Sequence, residues 1–151
     1  MSNEIHIHYS SDSTLYAVIR NGAGEVWYSP GQIFESWGTG SRTANDYDIS
    51  LTDKGGSMYV GDFDGNIPAG RYSVQAFFQA GANPEDSDNL VGSDEIIWSG
   101  AGKVTCDKLL ANKAVQNKST GEIKYYDDDG QTLLLTHTTA DAAATITRTP
   151  S

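Results

Sequence analysis

All three tryptophans (Trp27, Trp37, Trp98), all four phenylalanines (Phe34, Phe63, Phe77, Phe78) and six of the eight tyrosines of this 151-residue chain lie before Ala101. Aromatic side chains are the richest material for a hydrophobic core, each removing about 150–250 Å² from water. The first hundred residues can therefore build a core. The remainder has Tyr125 and Tyr126 as its only aromatics and is close to the size below which a segment rarely folds unaided. Charge divides at the same place. Residues 1–100 hold four basic and fourteen acidic side chains and carry the whole formal net charge of −10, whereas six bases and six acids balance from Ala101 onward. Two parts are expected: an acidic domain over residues 1–100, and an appendage over 101–151 that needs cover from elsewhere.

A net charge of −10 repels nucleic-acid phosphates and anionic lipid, so neither nucleic acid nor a membrane is an expected partner. No apolar run approaches the roughly 18 residues that cross a bilayer, and Met1-Ser-Asn-Glu lacks the start of a signal peptide, so a soluble protein is expected. The single cysteine, Cys106, precludes an intrachain disulfide and suits a reducing cytosol. With no second ligand at metal spacing, it reads as a small buried side chain.

Short runs of β-branched and aromatic residues recur between Gly, Asn, Asp, Ser and Pro clusters, the pattern of an all-β, antiparallel sandwich of immunoglobulin- or fibronectin-like type. Strands are expected over Glu4–Tyr9, Leu15–Arg20, Val26–Tyr28, Tyr47–Thr52, Ser57–Val60, Gly70–Gln79 and Asp94–Ser99. The clearest is the run after Pro68-Ala-Gly, where Tyr72, Val74, Ala76 and Phe78 fall on one face and Arg71, Ser73 and Gln75 on the other. Asn21-Gly22 and Gly24 mark a hairpin. Three loops, around Ser29-Pro-Gly, from Trp37 to Asn45 and from Ala80 to Asn89, offer places for function. In the second part, Val104–Asn112 reads as one short helix. Extended runs at Lys113–Lys118, Glu122–Tyr126, Gln131–His137 and Ala143–Thr149, joined by short turns including 138–142, predict a meander. Leu133 and Leu135 alternate with Leu134, so both faces of that small sheet want cover.

Few constellations point to chemistry, and no catalytic residue is assigned. There is no Gly-x-Ser-x-Gly elbow and no phosphate loop, and the surface acids do not single out a carboxylate pair, so an enzyme is not expected. His6 and His8 share one strand face but lack a third ligand. Asp62-Phe-Asp-Gly-Asn begins like a calcium loop, yet Ser73 stands where the twelfth position requires a bidentate Glu. Asp86, Asp88 and Asp127–Asp129 add acids without a ligand pattern, and Asp127-Asp-Asp-Gly suits a hairpin turn. No metal or other cofactor is therefore predicted. Trp27, Tyr28, Phe34 and Trp37 cluster around Ser29-Pro-Gly and would, if exposed, form a stacking platform for sugar rings; buried, they would close one end of the core.

Leu15-Tyr-Ala-Val-Ile-Arg-Asn-x-Ala-Gly-Glu-Val-Trp, Tyr47-Asp-Ile-Ser-Leu-Thr, Gly55-Gly-Ser-Met-Tyr-x-Gly-Asp-Phe and Ile67-Pro-Ala-Gly-Arg-Tyr-Ser-Val together resemble a module of uncharacterised bacteriophage and prophage proteins. The stretch from Asn112 to Thr132 resembles a C-terminal segment of the same kind of protein. The resemblance implies a virion structural component, made in the bacterial host cytoplasm, in a capsid-decoration, neck or tail and baseplate position. A sheet that cannot close its own core suits an assembly arm. Val115, Ile123, Tyr125, Leu133, Leu135 and Ile146 are its expected interface, and its expected partners are further copies of the chain, in a trimer or another ring, and other virion proteins. The rival reading is a carbohydrate- or receptor-binding module, with a host surface glycan as partner.

Overall fold

The computed structural model describes residues 3–105, 112–127, 129–142 and 145–150. The chain divides into two compact units, Met1–Gly100 and Ala101–Ser151, the division falling where aromatic content and charge change. Both are built of antiparallel strands.

In the first unit, β1 (Ile5–His8), β7 (Met58–Gly61) and β6 (Thr52–Asp53) form a three-stranded sheet in that order. A larger sheet runs in the order β4 (Ile33–Glu35), β3 (Val26–Tyr28), β2 (Leu15–Arg20), β8 (Gly70–Phe78), β9 (Asn89–Trp98), with the two-residue β5 (Ile49–Ser50) also paired to β2. Five successive residues of β2 are buried, which requires cover on both faces of the sheet. Leu15, Ala17 and Ile19 join Ile5, Ile7 and Tyr59 of the smaller sheet and Val74, Ala76, Ile96 and Trp98 of the larger in one apolar cluster. Tyr16 and Val18 face the other way, into a second cluster with Val26, Ala44 and Tyr47. Each fully buried Val, Leu or Ile contributes about 1.5–3 kcal/mol of transfer free energy, so these clusters are what hold the unit together. The alternation expected along β8 is present: Tyr72, Val74 and Ala76 are buried in the first cluster, and Phe78 packs on it.

Three segments of the first unit depart from the sequence reading. Residues 47–52 are not one strand. Tyr47 ends a one-turn helix, α1 (Ala44–Tyr47), in which Asp46 Oδ2 accepts the Thr43 backbone N–H at 2.8 Å; the chain then pairs through β5 with the larger sheet and, past Leu51, through β6 with the smaller one. β4 was not expected, and it extends the sheet beyond β3 by three residue pairs. β9 begins at Asn89 rather than Asp94, and a register shift opposite Ala76/Phe77 accommodates it.

The second unit contains a meander, β10 (Ala114–Gln116), β11 (Ile123–Tyr126), β12 (Leu133–Ala142) and β13 (Thr145–Pro150), paired in chain order. β12 continues through residues 138–142, expected as a turn, and pairs there with β13. The expected helix at 104–112 and Cys106 fall largely outside the described residues.

Candidate functional site

The four aromatics that would, if exposed, form a sugar platform are divided between two faces. Trp27 and Tyr28 are neighbours in β3, and successive strand residues point to opposite sides. Trp27 is only 3% exposed, its ring centroid lies 5.0 Å from that of Phe34, and Phe34 in turn stacks on Tyr72 at 5.3 Å. This pair closes the first apolar cluster, so it offers no stacking surface. Tyr28 and Trp37 lie half-buried on the other face, both against Tyr47. The Arg42 guanidinium sits 3.9 Å from the centre of the Tyr28 ring, and the Arg20 guanidinium 4.9 Å from that of Trp37. These cations cover ring faces that a sugar would need.

Glu35 of β4 orders this second face. Its carboxylate accepts from Arg42 Nη1 at 2.9 and 3.1 Å and from the Tyr47 hydroxyl at 2.9 Å. Burial raises the Tyr47 phenol, and donation to Glu35 raises it further. Arg42 is raised first by its interaction with Tyr28, and the Glu35 charge acts in the same direction. Sequence reasoning did not single out Glu35, Arg42 or Arg20. Arg20 gave a signal, because it ends an otherwise apolar strand with a cation.

The acidic motifs serve the chain's own loops. Asp64, in the segment that begins like a calcium loop, accepts from Trp27 Nε1 at 2.7 Å, Ser29 Oγ at 2.8 Å, the Asn66 backbone N–H at 2.9 Å and Asn66 Nδ2 at 3.0 Å. Burial alone would raise its carboxyl, but these donors outweigh burial and hold it below the usual range. Asp62 accepts the Asn3 backbone N–H. Asp86 accepts the Ala44 N–H at 2.8 Å, and Asp88 accepts those of Glu85 and Ala80, which closes the 80–89 loop. Asp129 accepts the backbone N–H groups of Gln131 and Thr132 and the Thr132 hydroxyl, and Gly130 takes φ 66° in the same turn. Asp128 lies outside the described residues. His6 and His8 are both exposed on β1, and among the described residues no group of three His, Cys, Asp or Glu is placed to hold a metal ion.

Of the six residues expected at an assembly interface, Ile123, Tyr125 and Leu135 share a sheet face. Tyr125 pairs with Leu135, Ile123 pairs with His137, and the Tyr125 and His137 rings meet edge-on at 5.4 Å. Val115 belongs to the opposite face, because it pairs with Lys124, and Lys124 pairs with Thr136. Leu133 stands opposite Tyr126 beyond a register shift, and Ile146 pairs with Asp141. The expected set is therefore not one patch. Val115 and Leu133 are 43% and 44% exposed, Ile123, Tyr125 and Leu135 are half-buried, and Leu134 is buried. No family model matches the chain, and comparison with curated proteins and with solved structures finds no significant match.

Proposed function

We propose that this chain is a structural protein of a bacteriophage virion, in a capsid-decoration, neck or tail position, which assembles through residues 101–151 and displays residues 1–100 as a β-sandwich. The observation that carries the assembly role is the four-stranded meander, in which Val115 and Leu133 stay 43% and 44% exposed and Ile123, Tyr125 and Leu135 are half-buried, although Leu134 is buried. A small sheet that leaves this much apolar surface uncovered is marginal in water, so a second copy or a neighbouring protein has apolar area to cover. The phage attribution rests on the sequence resemblance. Three features support the sandwich: one apolar cluster shared by two sheets, a chain that changes sheet between β5 and β6, and the Tyr72 hydroxyl donating to the Pro68 carbonyl four residues upstream at 2.8 Å, as in a tyrosine corner.

Sedimentation equilibrium of the full chain tests the reading against the Val115→Glu/Leu133→Glu double variant and against residues 1–100 alone. Completing the burial of these two half-exposed side chains is worth about 1 kcal/mol each per subunit. The wild type should form a closed oligomer at micromolar concentration, and both comparison proteins should run as monomers. A wild-type monomer indistinguishable from the variant at every concentration refutes self-assembly through the arm.

A further inference from the structure

On the outer face of the larger sheet, a cavity of about 230 Å³ is walled by Tyr16, Arg20, Trp37, Phe77, Glu85 and Asp86. We propose that it binds one acidic sugar ring, a hexuronate or a comparable carboxylated pyranose. This concerns the first unit alone and holds whether or not residues 101–151 assemble.

Arg20 is held at two of its three guanidinium nitrogens. Its Nε donates to Gln75 Oε1 at 2.8 Å and its Nη1 to the Gly24 carbonyl at 2.9 Å, which fixes the guanidinium over Trp37. Nη2 donates to no acceptor among the described residues, and neither Glu85 nor Asp86 forms an ion pair with Arg20. The side chain is only half-exposed, so this cation sits in a partly desolvated place without a counter-ion. Such a group is stabilised by an incoming carboxylate that accepts from Nη2 in a charge-assisted hydrogen bond. The Trp37 indole N–H likewise donates to no acceptor among the described residues and adds a second donor at the same wall.

The remaining walls select the rest of the ligand. Tyr16 is only 2% exposed and stacks beneath Phe77 at 5.4 Å with 16° between their planes, so half-buried Phe77 is the apolar wall open to the C–H face of a pyranose. Glu85 and Asp86 are acceptors, and Asp86 is held in place by the Ala44 N–H. A bare carboxylate would meet those acids with nothing to donate, whereas ring hydroxyls supply the donors. A neutral sugar would leave Arg20 unanswered. The volume is below the roughly 300–1,000 Å³ of clefts for drug-sized ligands, so it admits one ring rather than a chain. Because Arg20 and Asp86 are already anchored, little ordering is lost on binding.

The test is a ¹⁵N-HSQC titration of the full chain with methyl β-D-glucuronide, in parallel with methyl β-D-glucoside and sodium acetate. Salt at about 0.15 M screens the distant carboxylates. The glucuronide should shift the Trp37 indole signal and the amides of Ala44, Glu85 and Asp86, with half-saturation on the order of 1 mM. The glucoside and acetate should each bind at least about tenfold more weakly. Arg20→Gln should weaken the glucuronide about tenfold or more. Trp37→Phe, which keeps an aromatic ring there and removes the N–H, should weaken it several-fold; should Arg20→Gln fail to fold, this variant and the wild-type comparison decide. Equal binding of glucoside and glucuronide, saturable acetate binding of equal strength, unchanged affinity in the variants, or no shift of these signals at 50-fold the expected half-saturation would each overturn the proposal.

Discussion

Asp64→Ala should be among the most damaging single changes in the first unit, and the cost follows from its four hydrogen bonds. Trp27 is almost fully buried, and Asp64 Oδ2 is the acceptor for its indole N–H. Removing the carboxylate strands that donor, at a cost of about 1–3 kcal/mol. Ser29 and Asn66 are exposed, so their donors return to water and add only about 0.5 kcal/mol each. The total is about 2.5–4.5 kcal/mol. At about 4–8 °C per kcal/mol for a cooperative unit near 100 residues, the melting temperature should fall by about 10–35 °C. Asp64→Asn keeps one acceptor oxygen and should lose about half as much. pH adds a second arm. The folded carboxyl lies below its ordinary value near 3.9, so its stabilisation is complete above about pH 4 and is lost as pH falls through the lower folded pKa. Stability of Asp64→Asn should therefore depend less on pH in that acidic window. Calorimetry of the full chain, with and without millimolar calcium, reads all three. A fall of less than about 4 °C for Asp64→Ala, or wild-type stabilisation by calcium that the variant lacks, would show that Asp64 serves as a ligand and not as an anchor for Trp27.

Two further variants probe the second aromatic face and the strand start. Glu35→Gln keeps the size but weakens the acceptor shared by Arg42 and the Tyr47 hydroxyl; urea unfolding at pH 7 should show a loss of about 1–2 kcal/mol, reduced at high salt. Tyr72→Phe removes only the hydroxyl that donates to the Pro68 carbonyl, and the same assay should show a loss of about 1 kcal/mol with the m-value unchanged.

The strands that were legible are those whose own residues determine both neighbours and faces. Leu15–Ile19 is an unbroken apolar run, and Tyr72–Phe78 alternates cleanly, so each announces itself without knowledge of the partner strand. The chain-order pairing of the meander followed from short turns, as the Asp127–Gly130 turn shows. β4 was not legible because three residues give no period, and its existence depends on pairing with β3. α1 is a single turn, too short for helical periodicity; the Thr43-x-x-Asp46 spacing was its one local signal. The aromatic cluster around Ser29-Pro-Gly left platform and core closure both open, because closeness in sequence does not fix closeness in space. Trp27 and Tyr28 adjoin in a run already read as a strand, and the two-residue period alone separates them.

Edge strands bear on where an assembly contact would form. β9 is a ten-residue edge of the larger sheet, long enough to template another strand, but Asp94 and Glu95 stand at its middle, and Glu95 is paired with Arg71 on β8. Antiparallel pairing of two β9 strands about their centres would place Glu95 of one diagonally across from Asp94 of the other, on a unit that already carries the whole net charge of −10. Inserted charge of this kind keeps an exposed edge from pairing. β10, an edge of the meander, is Ala114-Val115-Gln116, exposed throughout and without a charge, in a unit whose formal charges cancel. Repulsion thus guards the long edge of the first unit, while nothing comparable guards the short edge of the second. If copies of the chain do associate, β10 is the strand with least to oppose pairing, and Val115, on the face opposite Tyr125, is the side chain that such pairing would bury first.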